Sequence, residues 1–400
     1  MPLLAQGPLA GMYLPDYGGR STVELLSSIV RSRGGHSPHA ELALLPASAL
    51  APRRCVLYLV VDGLGLAQLQ RHLARGQGRH FFARHRHEAI TTVFPATTAA
   101  AVTTFDTGAS PAEHAILSWY LHLPDQGCIA TVLRTTTRIG TPLFPEGFDL
   151  QAYYAVPSYV ASATDHAGLL SWGDIVDVPF GRVGTRWADR RRYDDLDGLV
   201  ARTLEFAREP GRRFAYVYWP RYDGLCHERG CQHPDVDRHF DDIDGALARL
   251  VEGLAGSDTT LCVLADHGLV DAVASRCIDL AKVPGLRACL STAPAGDQRQ
   301  MSLFLRPHQL AAFDAVYERE LQRACVRIDG RALQASGAFG PGTPHPALAE
   351  RVGDVVLLSR EDWAMVYTPP GTEPVYMPGS HGGMSAAEIQ IPLVVVEALR

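Results

Sequence analysis

The sequence predicts an α/β protein with a mainly parallel central sheet and helices on both faces. Three apolar runs, 55–61, 214–219 and 259–265, have the length of buried strands. Amphipathic helical patterns at 194–207 and 235–254 stand before the second and third of these runs. Strands that alternate with helices pair side by side in a parallel sheet, so the three runs predict its centre.

The first 140 residues continue this alternation. Residues 1–50, with Pro and Gly clusters around a short amphipathic run, predict an arm packed on the main domain. After the first strand we expect a helix at 66–73, a β-rich run at 89–94, a small-residue helix at 98–105 and another short strand at 127–133.

The middle of the chain contains a predicted crossover unit. Residues 140–190 are rich in Pro, Gly and aromatic residues, and we interpret them as long surface connections. The helix at 194–207 then leads into the second apolar run, and the helix at 235–254 returns the chain to the third. Such a crossover places two strands side by side and pointing in the same direction.

The last third of the chain predicts a small inserted α/β subdomain at 285–375. Its elements are a strand at 301–305, a helix at 309–324 and a strand at 355–359. The chain then returns to the core with a strand at 391–396. We therefore divide the protein into an α/β core, 1–284 and 376–400, and an insertion, 285–375, that is a candidate wall of the substrate pocket.

Composition indicates an ordinary globular protein and excludes some partners. Of 400 residues, 46% are hydrophobic and 20% charged, which suffices for a large core. A net charge of -6 gives no overall attraction to polyanions, so we expect no long nucleic acid as a partner. A small anionic substrate needs only local positive charge.

Targeting and redox signals favour the cytoplasm. The start of the chain lacks a basic segment followed by a continuous apolar stretch, and no run approaches the ~18 residues of a membrane span. The eight cysteines lie largely in apolar segments without paired spacing, as buried thiols do in a reducing compartment. We expect a cytoplasmic protein that contacts no membrane, and the sequence leaves its oligomeric state open.

Three aspartates and three histidines form an inventory of metal ligands. They are Asp62, Asp223, Asp266, His227, His267 and His381. Each aspartate lies shortly after one of the three apolar runs, and ligands collect at the carboxyl ends of strands in parallel α/β sheets. Oxygen and nitrogen donors gathered there are suited to divalent cations, and converging carboxylates without cations would repel a phosphate.

The six residues divide into two groups, each large enough for one cation. The first group is Asp223, His227 and His381. The second is Asp62, Asp266, His267 and a hydroxyl group. We therefore predict two divalent metal ions per chain, with Zn²⁺ preferred and Mn²⁺ as the alternative, in a hydrolase that acts on phosphate esters.

The candidate nucleophile lies where a small-residue helix begins. Thr97 and Thr98 open that helix, whose first N–H groups and positive dipole end would stabilise an alkoxide and a bound phosphoryl oxygen. From the residues alone either threonine could serve as the nucleophile, and either could be only an N-cap.

Six motifs resemble one known family. They are V-V-D-G-L at 60–64, F-P-x-x-T at 94–98, T-G-x-x-P-x-x-H at 107–114, D-x-x-x-H at 223–227, A-D-H-G at 265–268 and H-G-G at 381–383. In this order they resemble the type I phosphodiesterase/nucleotide pyrophosphatase family of the alkaline phosphatase superfamily. The motifs cover most of the chain except the arm and residues 285–375.

The resemblance implies a role for each motif residue. It assigns Thr98 as the nucleophile and as a metal ligand, and it implies hydrolysis of phosphodiester or pyrophosphate bonds through a phosphoryl-threonine. It places Asp62, Asp266 and His267 at the Thr98-bound metal, and Asp223, His227 and His381 at the other.

Two positions depart from the nucleotide-cleaving members that the chain is similar to. Those members usually carry an aromatic residue directly after the threonine and an asparagine three positions after it, where this chain has Ala99 and Ala101. Phosphoryl oxygens would then rely on the metals and on the backbone N–H of Ala99. Trp119 and Tyr120 are candidates for stacking on the substrate. We expect that substrate to be a small phosphate ester, and a nucleotide is one alternative.

Other hypotheses remain open at this stage. The same metal centre would serve a phosphonate hydrolase or a phosphomonoesterase, and a non-catalytic protein could keep the metals for stability alone. A local alternative combines Cys226, His227, Cys231 and His233 in a structural zinc site, although their spacing is poor for one.

Overall fold

The computed structural model describes residues 9–185 and 188–398. These residues form two seven-stranded sheets and two small two-stranded pairs. In chain order the strands are β1 (Cys55–Val61), β2 (His87–Thr91), β3 (Tyr120–Leu123), β4 (Cys128–Thr131), β5 (Thr136–Thr137), β6 (His166–Trp172), β7 (Asp189–Tyr193), β8 (Arg213–Trp219), β9 (Thr259–Leu264), β10 (Val270–Asp271), β11 (Cys277–Asp279), β12 (Ala295–Asp297), β13 (Gln300–Leu303), β14 (Cys325–Asp329), β15 (Val355–Ser359), β16 (Ala364–Val366), β17 (Gly379–Ser380) and β18 (Gln390–Ala398).

The central sheet has the order β2-β18-β9-β1-β8-β6-β7. Its strands run parallel except β18, which is antiparallel to both of its neighbours. Strands β9, β1 and β8 lie side by side at its centre and are buried along their whole length. The prediction of an α/β fold with a mainly parallel sheet is confirmed, and the three apolar runs are its core strands.

Helices pack against both large sheets. They are α1 (Thr22–Ser32), α2 (Ala47–Leu50), α3 (Leu66–Ala74), α4 (Thr98–Thr107), α5 (Pro111–His114), α6 (Leu150–Tyr154), α7 (Arg182–Thr185), α8 (Leu196–Arg208), α9 (Arg221–Arg229), α10 (Pro234–Leu254), α11 (Leu286–Cys289), α12 (Leu310–Val316), α13 (Gly330–Ala335), α14 (Leu348–Val352) and α15 (Ala386–Ile389). Helix α8 packs on α10, and α1 packs on α4. None of the described helices is long and apolar enough to cross a bilayer.

The second sheet combines two distant stretches of the chain. Its order is β14-β15-β13-β12-β3-β4-β5, and all of its pairs are antiparallel. Strands β3 to β5 come from residues 120–137, and β12 to β15 come from 295–359. The strand expected near 127–133 therefore exists but lies outside the central sheet. The bounds 285–375 for an inserted subdomain stay a prediction, because its sheet continues into strands from elsewhere.

Residues 140–190 are more than surface connections, so that interpretation is wrong. They contribute β6, which pairs with β8 in the central sheet, and the start of the edge strand β7. The apolar centre of β6 is short, and β7 reads D-R-R-R-Y. An edge strand needs no apolar run, because one side of it faces no neighbouring strand.

The described part of the N-terminal arm contains one well-formed helix. Helix α1 begins after Ser21, whose side chain and that of Glu24 form a reciprocal capping box. Ten of its eleven residues are buried. Residues 1–8 lie outside the described part of the chain.

Candidate metal centre and active site

The three candidate aspartates meet at one edge of the central sheet. Asp62 follows β1 directly, Asp266 stands two residues after β9, and Asp223 lies in the first turn of α9 just beyond β8. Because these three strands are neighbours and parallel, their carboxyl ends bring the acids together. All three aspartates are buried.

Asp223, His227 and His381 form the first group of ligand atoms. Asp223 and His227 are four residues apart on α9 and therefore share one helix face. His227 Nε2 lies 3.0 Å from Asp223 Oδ2, and His381 Nε2 lies 4.0 Å from Asp223 Oδ1. One ligand atom from each residue fits within 4.8 Å of the others, as one cation requires.

His267 stands at the centre of the second group. Its Nε2 lies 3.4 Å from Asp62 Oδ1, 3.5 Å from Asp266 Oδ2 and 3.1 Å from Thr98 Oγ1. The two groups are continuous, since the rings of His267 and His381 stack with centroids 3.8 Å apart. The structure thus brings all six predicted side chains and Thr98 into one cluster.

Backbone carbonyls fix the orientation of each imidazole. The Nδ1 atoms of His227, His267 and His381 lie 2.7, 3.2 and 3.1 Å from the carbonyl oxygens of Gly379, Gly268 and Ala96. A carbonyl only accepts, so Nδ1–H donates in each ring, and Nε2 of the neutral ring has a lone pair for a cation. All three free Nε2 atoms point into the cluster, which is the arrangement of metal-ligating histidines.

The carboxylates leave one oxygen each for a cation. Asp62 Oδ1, Asp223 Oδ1 and Asp266 Oδ2 are buried and accept no hydrogen bond from the residues that the structure describes. The second oxygen of Asp62 accepts from the Tyr218 hydroxyl, and that of Asp266 accepts from backbone N–H groups, including Gly63 N at 3.0 Å. Buried, unpartnered carboxylate oxygens are costly, and divalent cations would satisfy them, so the donor set fits the predicted metals.

The pKa shifts of these groups in the absence of cations reflect the same crowding of buried charges. Burial raises the pKa of Asp62 well above its usual value, and the nearby Asp266 and Asp223 raise it further. Burial also acts to raise the pKa of Asp223, but the attraction of His227 outweighs it, and the pKa is lowered. Burial opposes a charge on His227, yet Asp223 raises its pKa to about 9. A cation bound between these groups would take the place of the shared proton.

Thr98 and Thr97 face different partners. Thr98 is the first residue of α4 and lies against His267. Thr97 is the N-cap residue, and its hydroxyl donates to Asp297 Oδ2 at 2.8 Å. Of the two threonines, Thr98 is thus the one that reaches the ligand cluster. Ala99 lies in the first turn of α4, where backbone N–H groups have no partner within the helix.

Close packing explains why a glycine, Gly268, ends the A-D-H-G motif. A Cβ at Gly268 would collide with the backbone oxygen of Ala387, and Gly268 N donates to Glu388 O at 2.9 Å. The turn that carries Asp266 and His267 therefore lies directly against α15.

A cavity of about 560 Å³ opens from the cluster. Asp62, Thr98, Asp223, His227 and His381 line its floor. Its walls are mainly aromatic and aliphatic, and include Trp119, Tyr120, Ile139, Trp172, Ile175, Tyr218, Met301, Met365, Val366, Tyr367 and Val375. The predicted stacking candidates Trp119 and Tyr120 are among them. Residues of 285–375, among them Met301 and Tyr367, also line the cavity.

The guanidinium group of Arg138 helps to shape this wall. The guanidinium of Arg138 lies 3.9 Å from the ring centroid of Tyr120 and 5.3 Å from that of Tyr367. It also donates to the carbonyl oxygens of Pro294 and Tyr367, at 3.1 and 2.9 Å. Arg138 therefore joins the hairpin at 120–137 to the loop after β16.

The alternative zinc site is not formed. Among the described residues, the groups that could hold a metal include neither Cys226 nor Cys231. His233 is the N-cap residue of α10, and its Nδ1 accepts from Asp235 N at 3.1 Å. His227 belongs to the cluster described above.

A family model described as type I phosphodiesterase / nucleotide pyrophosphatase matches residues 56–384. The chain belongs to this family. The assignment made from six sequence motifs is confirmed, and with it the prediction of a hydrolase. A comparison with curated proteins found no match.

Solved structures share the fold at low sequence identity. Murine ectonucleotide pyrophosphatase / phosphodiesterase 5 is 17% identical, with a TM-score of 0.58 over 85% of this chain and 87% of its own. One structure of that protein is of an inactive threonine-to-alanine variant in complex with AMP. Phosphonoacetate hydrolase from Sinorhizobium meliloti, in complex with phosphonoformate, is 17% identical, with a TM-score of 0.61 over 86% of this chain and 90% of its own.

The sequence analysis did not identify three residues of the site. Tyr218 is the next-to-last residue of β8, and a hydroxyl at the carboxyl end of a core strand is a signal that could have found it. Asp297 and Arg138 lie in the second sheet or its connections, where no motif marks them.

Proposed function

We propose that this protein is a two-metal phosphodiesterase in which Thr98 is the nucleophile. The observation that carries the proposal is the convergence of three unpartnered carboxylate oxygens, three free imidazole Nε2 atoms and the Thr98 hydroxyl on one cavity floor. Ligand sets of this composition favour Zn²⁺, with Mn²⁺ as the alternative.

The seven side chains divide into two ligand sets, as the motifs predict. Asp223, His227 and His381 would hold one cation. Asp62, Asp266, His267 and Thr98 would hold the other. When bound, the two cations would lower the pKa of a coordinated hydroxyl and neutralise charge on the transferred phosphoryl group.

The chain's own residues then perform a two-step displacement. Thr98 Oγ1 gives up its proton to solvent and attacks phosphorus, the bond from phosphorus to the leaving oxygen breaks, the leaving oxygen takes a proton from solvent, and a phosphoryl-threonine forms. Water hydrolyses this ester and frees the hydroxyl. The first turn of α4 directs its positive end and the Ala99 N–H toward the phosphoryl oxygens, which stabilises their charge.

The solved relatives support a threonine in this role. The murine relative is inactive as a threonine-to-alanine variant and binds AMP. A nucleotide is therefore one candidate substrate. Ala99 and Ala101 remove the aromatic and the amide expected of nucleotide-cleaving members, so we favour other phosphodiesters.

The cavity wall supports an ester with apolar substituents. Three large aliphatic side chains at its mouth are exposed although they line the cavity: Ile139 at 70%, Val375 at 59% and Ile175 at 37%. An apolar substituent of the substrate would cover them, and the burial of this apolar surface would favour binding.

A cytoplasmic location stays a prediction.

Likeness to phosphonoacetate hydrolase makes phosphonate hydrolysis the second candidate. Phosphonoacetate carries a carboxylate beside its phosphonate. The cavity carries a partly buried acid of its own, Asp297, in addition to the arginines 138 and 221. This acid favours a substrate with less negative charge, so we rank the phosphodiester first.

The test combines metal analysis with a substrate comparison. We expect close to two Zn²⁺ or Mn²⁺ per chain, loss of activity with a chelator, and recovery when the metal is restored. We expect the highest kcat/KM on bis(para-nitrophenyl) phosphate, compared with para-nitrophenyl phosphate and phosphonoacetate. A preference for phosphonoacetate would instead support the second candidate, and metal-loaded protein without turnover on any of the three would support a binding protein.

A further inference from the structure

Asp297 lies beside the nucleophile without belonging to either ligand set. It ends β12, at the turn into β13. Its Oδ2 accepts from Thr97 Oγ1 at 2.8 Å and from Trp119 N at 3.2 Å. Because Thr97 directly precedes Thr98, this carboxyl group is anchored to the start of the helix that presents the nucleophile.

The carboxyl group also faces the space that a substrate would fill. Asp297 lines the same cavity as Thr98 and His381. A Cβ added at Gly382 would lie 3.3 Å from the Asp297 Cβ, so the side chain packs closely on the loop that carries His381. It is also near enough to raise the pKa of His227.

Burial raises the pKa of Asp297, while its hydrogen bonds from Thr97 and from Trp119 N act to lower it, and at alkaline pH we expect the carboxylate form. Asp297 Oδ2 accepts both of its hydrogen bonds, one from the Thr97 hydroxyl and one from Trp119 N. Hydrogen bonds donated to a carboxylate stabilise its charged form. Among the described residues Asp297 forms no ion pair within 4.0 Å, and the guanidinium of Arg138, which lines the same cavity, is occupied by two carbonyls and two rings.

A fixed negative charge at this position discriminates between substrates by their charge. Repulsion between two charges in a partly buried site extends over several ångströms and scales with the charge of each partner. A phosphomonoester is a dianion at alkaline pH, whereas a phosphodiester carries one negative charge. A carboxylate near the phosphoryl group therefore penalises the monoester more than the diester.

We propose that Asp297 is a specificity-determining residue that selects phosphodiester monoanions against phosphoryl groups with two negative charges. The proposal rests on the phosphodiesterase function proposed above. It also gives a physical reason why phosphonoacetate, with its additional carboxylate, should be a poor substrate.

The test measures a ratio of two activities. The ratio is kcat/KM for bis(para-nitrophenyl) phosphate divided by kcat/KM for para-nitrophenyl phosphate, at alkaline pH. Asp297→Asn removes the charge but keeps an oxygen that can accept from Thr97 and Trp119. We expect this variant to lower the ratio by about tenfold, through a gain on the monoester.

Glu373→Gln is the matched control. Glu373 also lines the cavity, but it is exposed, so water and salt screen its charge. We expect the control to change the ratio by less than about twofold. A fall on both substrates by the same factor in Asp297→Asn would show a merely structural role and overturn the proposal, as would an unchanged ratio.

A second measurement needs no variant. The compound para-nitrophenyl methylphosphonate has the leaving group of the monoester but a single negative charge. We expect the wild-type protein to prefer it to para-nitrophenyl phosphate by about tenfold or more, and an equal or reversed preference would overturn the proposal. Absence of turnover on every ester would instead refute the proposed phosphodiesterase function, so the two failures can be told apart.

Discussion

The Oγ1 atom of Thr98 lies 3.1 Å from Nε2 of His267. The ring orients its other nitrogen toward the carbonyl of Gly268, so the atom facing the threonine is the one with a free lone pair. A hydroxyl that starts a helix therefore meets a potential metal ligand within a buried carboxylate cluster. This relationship connects the helix α4 to the strand ends, and two predictions concern its chemistry.

Replacing Thr98 by alanine should abolish turnover and keep most of the bound metal. The variant lacks the attacking oxygen, while three ligands of each set remain. We expect kcat to fall by at least about a thousandfold on bis(para-nitrophenyl) phosphate. Thr98→Ser, which keeps a hydroxyl, should retain measurable activity. Elemental analysis of the same samples measures the metal, and full activity in Thr98→Ala would exclude the threonine as nucleophile.

Replacing Tyr218 by phenylalanine should weaken metal binding. The Tyr218 hydroxyl donates to Asp62 Oδ2 and thereby orients the carboxylate whose other oxygen faces the cluster. Loss of such a supporting bond reduces metal affinity by about tenfold to a hundredfold. Titration against a competing chelator measures the change.

Tyr216→Phe is the control for this prediction. Tyr216 lies two residues earlier on the same strand, and its buried hydroxyl has no hydrogen-bond partner. We expect its removal to leave metal affinity unchanged. Equal effects of the two substitutions would indicate a general loss of packing instead of a role for the Tyr218 bond.

The apolar cavity mouth should contribute to substrate binding. Ile139→Ser and Val375→Ser each remove an aliphatic side chain that would be covered by a substituent of the substrate. We expect each to raise KM for the bis-aryl diester by about twofold to tenfold with little change in kcat. Leu310→Ser is the control, because Leu310 is 47% exposed and does not line the cavity. A KM equal to wild type in both mouth variants would refute this role.

Much of the candidate site could be predicted from the sequence because several of its ligands come shortly after core strands. An apolar run predicts a core strand, and the acid that follows it must lie at the carboxyl edge of the sheet. Asp62 and Asp266 were accessible in this way, whereas His381 follows no core strand and was a candidate only as a histidine in a glycine-flanked segment. The same reasoning located β1, β8 and β9 almost to the residue.

Elements that lack an apolar run or depend on distant pairing escaped this reasoning. Strand β7 is predominantly charged, and nothing in its local pattern indicates an edge strand. The second sheet pairs β12 with β3, across about 175 residues, and no local signal specifies such a partner. Asp297 reaches the active site only through that pairing, which is why it was not a candidate.

Stability should fall with acidification because of His114, the histidine of the T-G-x-x-P-x-x-H motif. Burial lowers its pKa from 6.5 to about 3, and the charges of Arg351 and His345 add to the effect. Its Nδ1 accepts from Ile116 N at 3.0 Å, which requires the neutral ring. The unfolded chain therefore binds a proton that the folded protein excludes. The stabilisation is fully present above pH 6.5 and is lost progressively as the pH falls toward about 3.

The measurement is the free energy of unfolding of wild type and His114→Asn, at neutral pH and at several lower pH values. Asparagine can still accept from Ile116 N but does not titrate. Because it is smaller than the fully buried ring that it replaces, we expect this variant to be less stable at neutral pH. Below the unfolded pKa of histidine, the difference between the two proteins should narrow by about 1.4 kcal/mol per pH unit. Other titrating groups are common to both proteins and cancel in the comparison. A difference that stays constant with pH would show that His114 does not remain neutral in the folded protein.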